Sequence, residues 1–220
     1  MHSDFSVQVY WSFRSPYSYL AVGRMVAMAR SFDMEWDVRV VYPLAIRTPE
    51  HFKNPKPLAR PYFLLDSQRE AERLGLPFRR PVPDPIVQDP VTLAIAPEQP
   101  HIRALTYLGI EAARRGRGLA FIDEVSRLLW EGRVDGWDQG EHLAQAAARA
   151  GLDLADMQAA IKADVAGCEA QIEANQAAHT AAGHWGVPTF AFEGGPFYGQ
   201  DRLDALLWRL KSRGLRERNA

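Results

Sequence analysis

The sequence has little cysteine, since Cys168 is the only one in 220 residues. A single thiol cannot form an intrachain disulfide, perform CxxC redox chemistry or build a cysteine metal cage within one chain. We therefore expect a protein of the reducing cytoplasm. Cys168 lies in an alanine-rich stretch typical of a helix, so we predict a packed or partly exposed thiol without a catalytic role.

Long apolar runs and an excess of charge of one sign are also missing. No stretch approaches the roughly 18 apolar residues that a membrane helix needs, so we expect no membrane partner. The 26 basic and 27 acidic residues give a net charge of −1 without a block of like charges, which argues against a nucleic-acid partner. The first residues include Asp4 and no basic n-region, and the polar residues Gln8 and Ser12 interrupt the apolar stretch, so we expect no signal peptide.

Patterns of metal ligands are sparse as well. His179 and His184 are five residues apart, a spacing that places them on different faces of a helix, and no carboxylate stands at a ligand spacing from them. We predict that the chain holds no metal.

The first forty residues do carry a clear pattern, that of a strand, a helix and a second strand. Apolar residues alternate from Val7 to Phe13 and again from Trp36 to Tyr42, as in strands. Between them, Ser15 and Pro16 form an N-cap and first-turn pair, followed by apolar residues at helical spacing. Because the connection is helical, the two strands are predicted to lie parallel.

The middle of the chain is predicted to be helical. Twelve of the fifteen prolines fall between Pro43 and Pro100, which excludes continuous sheet there. Helices are predicted near 61–74, which Gly75 ends, and near 100–115, which Gly116 and Gly118 end. From 119 to 183 the chain is rich in helix-forming residues, with glycine-containing breaks between several helices.

Strand patterns return only near the end, at 189–192 and 197–199, joined by a turn at 193–196. Asp201 is then predicted to cap a last helix with leucines on one face. The order predicts an α/β protein with a thioredoxin-like fold (βαβ…ββα) that a large all-helical insertion interrupts. We expect residues 1–44 and 184–220 to form the thioredoxin-like domain and residues 45–183 the insertion.

Three short segments, at 15–18, 187–189 and 199–202, would meet in such a fold. Each also has an ordinary interpretation: Ser15 and Asp201 as N-caps, and Pro188 as a trans proline that begins an edge strand. In the functional interpretation, the helix N-terminus and the Ser15 hydroxyl stabilise a bound anion. A cis Pro188 would then expose the peptide groups of Val187 to an extended ligand, and Asp201 would accept from a ligand ammonium group.

Taken together, the segments SPYS, GVPTF and GQDRLD resemble one family, the 2-hydroxychromene-2-carboxylate isomerases and kappa-class glutathione transferases, which have a DsbA-like thioredoxin fold. The resemblance spans nearly the whole chain and implies glutathione as the cofactor. It implies that Ser15 hydrogen-bonds the glutathione sulfur and that Val187, beside Pro188, pairs with the cysteinyl unit. Gln200 and Asp201 would hold the γ-glutamyl end.

Further contacts follow from the same resemblance. Asn54, in FKNPKP, matches a family asparagine that contacts the ligand. Arg60 stands where relatives have a lysine, and an Arg fork holds a carboxylate differently from a Lys point charge. Tyr17 and Arg60 are the residues expected to contact the substrate, a small aromatic or electrophilic molecule. Relatives dimerise, so a homodimer is expected.

The activity implied is a glutathione-dependent isomerisation of an aromatic carboxylate, as in aromatic catabolism. In a kappa-like transferase, glutathione would remain on the product. A non-catalytic glutathione- or peptide-binding module would use the same site residues. A thiol–disulfide oxidoreductase shares the fold but is disfavoured, because serine stands at both Ser15 and Ser18.

Overall fold

A computed structural model describes residues 5–52, 58–89, 91, 92 and 94–218 of the chain. Its four strands form one sheet in the order β2-β1-β3-β4. The strands are β1 (Ser6–Trp11), β2 (Glu35–Val40), β3 (Thr189–Phe192) and β4 (Gly195–Tyr198). β1 and β2 are parallel, and the other neighbouring pairs are antiparallel. The predicted parallel βαβ unit and the predicted pair of C-terminal strands are confirmed.

Helices account for most of the remaining chain. α1 (Pro16–Ser31) connects β1 to β2, and α9 (Leu203–Ser212) follows β4. Between β2 and β3 lie α2 (Leu44–Arg47), α3 (Ala59–Leu74), α4 (Pro100–Arg114), α5 (Gly118–Trp130), α6 (His142–Arg149), α7 (Leu154–Ala163) and α8 (Val165–Ala181). Short 3-10 helices cover Pro49–Phe52 and Gln200–Arg202. Within the described residues from α2 to α8, extended pairing is limited to one bridge between Gln88 and Ile95, as the helical insertion predicts.

Two glycines let the insertion pack closely on the sheet. A Cβ atom at Gly109 of α4 would lie 2.7 Å from Val40 Cγ2, and one at Gly118 would lie 2.9 Å from Val38 Cβ. Gly118, predicted to help end the preceding helix, instead begins α5, and Gly116, with φ +69°, lies in the turn between α4 and α5. A side chain at either glycine would collide with β2, so the glycines allow α4 and α5 to pack this closely on the strand.

The opposite face of the sheet is covered by α8. His179 is fully buried there, and its ring stacks on Tyr10 with centroids 4.5 Å apart. Asn175 Nδ2 donates to the Val40 carbonyl at 3.0 Å. Cys168, also on α8, is fully buried. Of the two predicted environments, a packed or a partly exposed thiol, the packed one is confirmed.

Some predicted boundaries were wrong. β1 and β2 end two residues early, at Trp11 and Val40, because the chain turns there toward α1 and α2. β4 begins at Gly195, so the turn is shorter than predicted, and Pro196 lies in this edge strand, where a missing N–H is tolerated.

The prediction that Asp201 caps the last helix was also wrong. The 3-10 turn at Gln200–Arg202 precedes α9, and neither element has a side-chain cap. Gly199, with φ +107°, occupies the N-cap position of that turn. The Asp201 carboxylate is therefore not committed to the backbone of α9.

Among the described residues, no helix combines the length and the apolarity needed to cross a membrane.

Candidate functional site

Ser15 lies at the junction between β1 and α1. Its Oγ accepts a hydrogen bond from the Ser18 amide at 3.2 Å, which is the predicted N-cap, and Pro16 occupies the first turn. The Tyr19 amide donates to the Ser15 carbonyl at 3.2 Å. The Ser18 and Tyr19 amides are thus used by Ser15, and Pro16 has no N–H. The Tyr17 amide is therefore the first-turn donor that these contacts do not use. An anion placed at this N-terminus would thus meet the Ser15 hydroxyl, one amide and the helix dipole.

The segment containing Pro188 lies directly against Ser15. The Ser15 hydroxyl donates to the Val187 carbonyl at 3.1 Å, although the two residues are 172 positions apart. The peptide bond between Val187 and Pro188 is cis, which was the functional alternative for this proline. The Pro188 carbonyl accepts from the Gly199 amide at 3.0 Å, which ties the third segment to the second. The fold therefore brings together the three segments that the sequence singled out.

Gln200 and Asp201 lie in the third segment but have different environments. Gln200 is 3% exposed, and its Nε2 donates to Glu70 of α3, while its buried Oε1 has no hydrogen-bond partner among the described residues. Glu70 also binds Arg73, and hydrogen bonds from Arg73 and then Gln200 hold its pKa below the usual range. The Asp201 side chain is 54% exposed and forms an ion pair with Arg202 at 3.3 Å.

Tyr17 faces α3 from the first turn of α1. Its hydroxyl donates to Asp66 at 2.5 Å, and its ring packs edge-on against Phe63. Burial, followed by the hydrogen bond to Asp66, raises the Tyr17 pKa far above its ordinary value. The Tyr17 hydroxyl is therefore protonated at neutral pH, and it already donates its hydrogen bond to the Asp66 carboxylate.

The other two predicted contacts are not placed in this group. Arg60 lies in the first turn of α3, is exposed, and makes no hydrogen bond or ion pair with any residue that the structure describes. Asn54 lies outside the described residues. Their roles toward ligand and substrate remain predictions.

An aromatic stack borders the Val187 segment on one side. The His184 ring lies on that of Tyr198 with centroids 3.8 Å apart, and Trp185 stacks on His184 at 5.3 Å. A Cβ at Gly186 would lie 2.3 Å from the Tyr198 ring, so this position requires glycine for the ring to approach the backbone. The sequence gives no sign of this stack beyond the aromatic residues themselves.

On another side of Ser15 lies a charged cluster that sequence reasoning missed. Arg14 makes two hydrogen bonds to Asp84, both at 3.1 Å, and Arg80 reaches the same carboxylate at 2.7 Å. The four-residue spacing of Arg80 and Asp84 was visible in the sequence. Their contact with Arg14, 70 residues from Asp84, was not.

Among the described residues, no group of three His, Cys, Asp or Glu side chains is arranged to hold a metal ion. The site consists of a helix N-terminus with a serine hydroxyl, next to a cis-proline segment. This arrangement defines a thioredoxin-fold protein in which serine occupies the position before the first helix.

The chain belongs to the family described as the DSBA-like thioredoxin domain, which matches residues 6–211. No curated protein matches it in sequence. Among solved structures, a 2-hydroxychromene-2-carboxylate isomerase is similar with a TM-score of 0.72 and 18% identity, covering 94% of this chain and 95% of the isomerase. This likeness agrees with the fold that the sequence motifs implied.

Disulfide oxidoreductases are similar too. The cytosolic disulfide reductase DsbM from Pseudomonas aeruginosa gives a TM-score of 0.61 at 16% identity, covering 95% of this chain and 98% of the reductase. The same reductase has also been solved with GSH, glutathione, and that structure gives a TM-score of 0.58 at 16% identity, covering 94% of this chain and 100% of the reductase. At these identities the comparisons show the fold.

Proposed function

We propose that this chain binds glutathione across the three segments and acts as a glutathione-dependent isomerase of the 2-hydroxychromene-2-carboxylate type. The observation that carries the proposal is the contact of the Ser15 hydroxyl with the Val187 carbonyl at the α1 N-terminus. The position that holds a reactive cysteine in a CxxC oxidoreductase holds a hydroxyl here, so the reactive sulfur must come from a ligand.

The residues present fit glutathione. Among the described residues the buried Gln200 Oε1 has no hydrogen-bond donor, and the next residue along the chain, Asp201, has a half-exposed carboxylate. A γ-glutamyl group with its ammonium would satisfy both, because carboxylates and amide oxygens accept from such donors. The backbone of Val187 offers strand-like pairing to the cysteinyl unit. Asn54 is proposed as a further contact, as the family resemblance implies.

Bound glutathione would supply a thiolate that adds reversibly to an unsaturated carbon of the substrate. Ser15 would turn its hydroxyl from Val187 to the sulfur and, together with the helix N-terminus, stabilise the charged form. Tyr17, committed to Asp66, would shape the substrate side without acting as a base. Release of the sulfur after bond rotation gives isomerisation.

A kappa-like transferase is the second candidate, in which the sulfur remains on the product. The same Ser15 geometry supports both, so the products of turnover decide between them. Incubation with 2-hydroxychromene-2-carboxylate tests the first activity, and chlorodinitrobenzene tests the second. A protein that binds glutathione but turns over neither compound would be a binding module. We further propose a cytoplasmic homodimer, as in the relatives.

The Ser15→Ala variant tests the role of the hydroxyl. If this hydroxyl supplies about 1–3 kcal/mol to the thiolate, its loss raises the apparent pKa of bound glutathione by roughly one to two units. The rate at neutral pH should then fall about ten- to a hundredfold and recover partly in alkaline buffer, whereas glutathione affinity changes little. Thiolate absorbance near 240 nm, followed against pH, measures the shift.

Ser18→Ala is the matched control, because the Ser18 hydroxyl is buried without a hydrogen-bond partner among the described residues. This variant should keep the wild-type titration. Coincident titrations of the Ser15→Ala and wild-type complexes would reduce Ser15 to an N-cap, worth about 1 kcal/mol of folding stability.

A further inference from the structure

Arg47 is a half-buried cation at the edge of the sheet that also carries Ser15. It ends α2, which follows β2, whereas Ser15 follows β1. Because β1 and β2 are parallel, both residues lie at the same edge of the sheet. Arg47 Nε donates to the Tyr42 carbonyl at 2.6 Å, and Nη2 donates to the Trp185 carbonyl at 2.9 Å. The guanidinium is therefore fixed against the segment that leads to the cis Pro188.

No carboxylate of the described chain pairs with this guanidinium, which distinguishes Arg47 from similar residues. Each of the other half-buried arginines that the structure describes pairs with an acid: Arg14 and Arg80 with Asp84, Arg24 with Asp204, Arg39 with Asp37, and Arg209 with Glu193. Burial alone lowers the pKa of Arg47 to about 10, whereas a nearby acid would raise it. A partly buried cation without a counter-charge is unfavourable, so an anion at this position would be stabilised.

The guanidinium also has hydrogen-bond donors to offer. An arginine carries five N–H groups, and the two backbone carbonyls take one from Nε and one from Nη2. Among the described residues, both N–H groups of Nη1 and the second of Nη2 have no acceptor. These groups lie side by side and match the two oxygens of a carboxylate. Arg47 thus has the charge and the donor geometry that a carboxylate requires.

The direction of glutathione in the proposed site leads its glycyl end to this cation. The γ-glutamyl end is proposed at Asp201 and the cysteinyl unit at Val187. Asp201 is on the Pro188 side of Val187, because the Gly199 amide donates to the Pro188 carbonyl at 3.0 Å. A tripeptide that pairs with this segment as a strand would therefore carry its third residue on the opposite side, beside Trp185. The Trp185 carbonyl is the one that the guanidinium contacts.

The distances along the segment agree with the length of the ligand. The Ser15 hydroxyl binds the Val187 carbonyl, and Arg47 binds the carbonyl of Trp185, two residues earlier. Two residues span at most about 7 Å. In glutathione the glycyl carboxylate lies one residue, about 5 Å, beyond the Cα atom of the cysteinyl unit. A ligand with its sulfur at Ser15 is therefore long enough to bring its carboxylate to Arg47.

We propose that Arg47 anchors the glycyl carboxylate of glutathione through the N–H groups that do not bond to the backbone. This inference rests on the proposed function and extends it to the specificity of the same site. Glutathione is then held at its two ends by opposite charges, with Asp201 at the ammonium group and Arg47 at the terminal carboxylate. The site selects the whole tripeptide over thiols that lack either end.

Calorimetry with glutathione and its glycyl ethyl ester tests this anchor, because the ester differs in having no charge at the glycyl end. The test variants are Arg47→Gln, which removes the cation, and Arg47→Lys, which keeps a cation beside the two carbonyls but loses the fork of donors. The matched control is Arg39→Gln, which removes another half-buried arginine, one that pairs with Asp37.

We expect the wild-type protein to bind glutathione about ten- to a hundredfold more tightly than the ester, the usual effect of a charge-assisted hydrogen bond. In Arg47→Gln the two ligands should bind equally, because only glutathione loses an interaction with the cation. Arg47→Lys should retain part of the preference, and Arg39→Gln all of it. If Arg47→Gln does not fold, the lysine variant decides.

Equal affinity of the wild type for the two ligands would overturn the anchor and leave the proposed function intact. The wild-type preference, if it persisted in either Arg47 variant, would also overturn it, and an equal loss for both ligands would mean that Arg47 only supports the Trp185 segment. If the wild type bound neither ligand, the proposed function would fail, and the anchor with it.

Discussion

Gln200 and Asp201 are adjacent residues whose side chains have opposite surroundings. Gln200 is buried with an unpartnered acceptor, whereas the Asp201 side chain is 54% exposed and pairs only with Arg202 among the described residues. A buried acceptor without a donor costs stability, so it marks a position that a ligand can complete. An exposed carboxylate free of backbone contacts can change partners at little cost.

Replacement of Asp201 by asparagine should weaken glutathione binding without destabilising the fold. The amide keeps an acceptor but loses the charge, so the expected loss of binding free energy is about 1–2 kcal/mol. Asp204→Asn is the matched control, since Asp204 is exposed on the next turn and pairs with Arg24. Calorimetry gives the affinities, and equal affinities for the two variants would place the γ-glutamyl end elsewhere.

At the scale of elements, the approach of α4 to β2 depends on one missing side chain. Besides its contact with Val40, a Cβ at Gly109 would lie 3.0 Å from the buried ring of Phe13, the last apolar residue before Ser15. A shift of α4 would therefore also move Phe13 and the segment that leads from it to Ser15.

Gly109→Ala should therefore lower the free energy of unfolding by about 1–3 kcal/mol, as overpacking does in tight cores. Gly23→Ala is the matched control, because Gly23 lies in α1 with open space around its Cα. There alanine should raise stability by up to about 1 kcal/mol through helix propensity. Urea unfolding of both variants measures the difference, and stabilisation by both would show that α4 can move away at no cost.

The burial of His179, where α8 packs on Tyr10 of the sheet, makes stability depend on pH. Burial, and after it the charge of Arg47, lowers the His179 pKa from 6.5 to about 4. In the unfolded chain the His179 ring becomes protonated below about pH 6.5, whereas in the folded chain it becomes protonated only near pH 4. The stability associated with neutral His179 is therefore complete above pH 6.5 and falls with pH through this window, by at most about 3 kcal/mol.

His179→Phe keeps a ring against Tyr10 and removes the titration. Its free energy of unfolding should fall less steeply than that of the wild type between pH 6.5 and 4, while above pH 7 the two curves should run parallel. Urea unfolding at a series of pH values gives both curves. Curves that stay parallel below pH 6.5 would mean that His179 is protonated in the folded protein as readily as in the unfolded one.

The sequence predicted the ends of helices well where neighbouring residues determine them. Ser15 and Pro16 marked the start of α1, and Gly75 marked the end of α3, because caps depend on adjacent residues. Asp201 failed as a cap because a 3-10 turn precedes α9, and a turn of this kind leaves no periodic pattern. Arg14 could not be paired with Asp84, since that contact depends on how α3 and the following segment pack on α1.

For the molecule as a whole, the main question is whether sulfur chemistry is carried out by the protein or by a ligand. Similar structures include disulfide oxidoreductases, yet here the positions at 15 and 18 are serines and the one cysteine is buried in α8. We expect no catalysis of insulin reduction by dithiothreitol. The variant with both Ser15→Cys and Ser18→Cys should gain this activity, because the helix N-terminus lowers thiol pKa values.

Insulin turbidity measures this activity directly. Catalysis by the unmodified protein, retained in Cys168→Ala, would contradict the proposed source of the sulfur. The double variant is the positive control. If it is inactive as well, the insulin assay does not distinguish the two sources of sulfur, and glutathione binding measured by calorimetry is the deciding test.

The burial of Cys168 keeps the thiol of the protein away from reagents in solution. Its side chain is fully buried, and burial raises its pKa, so that the protonated, poorly reactive form dominates at neutral pH. Reagents that alkylate exposed thiols would find none on the surface of the folded chain. Under the proposed function, a reactive carbon compound would therefore add to the thiol of bound glutathione and leave Cys168 unmodified.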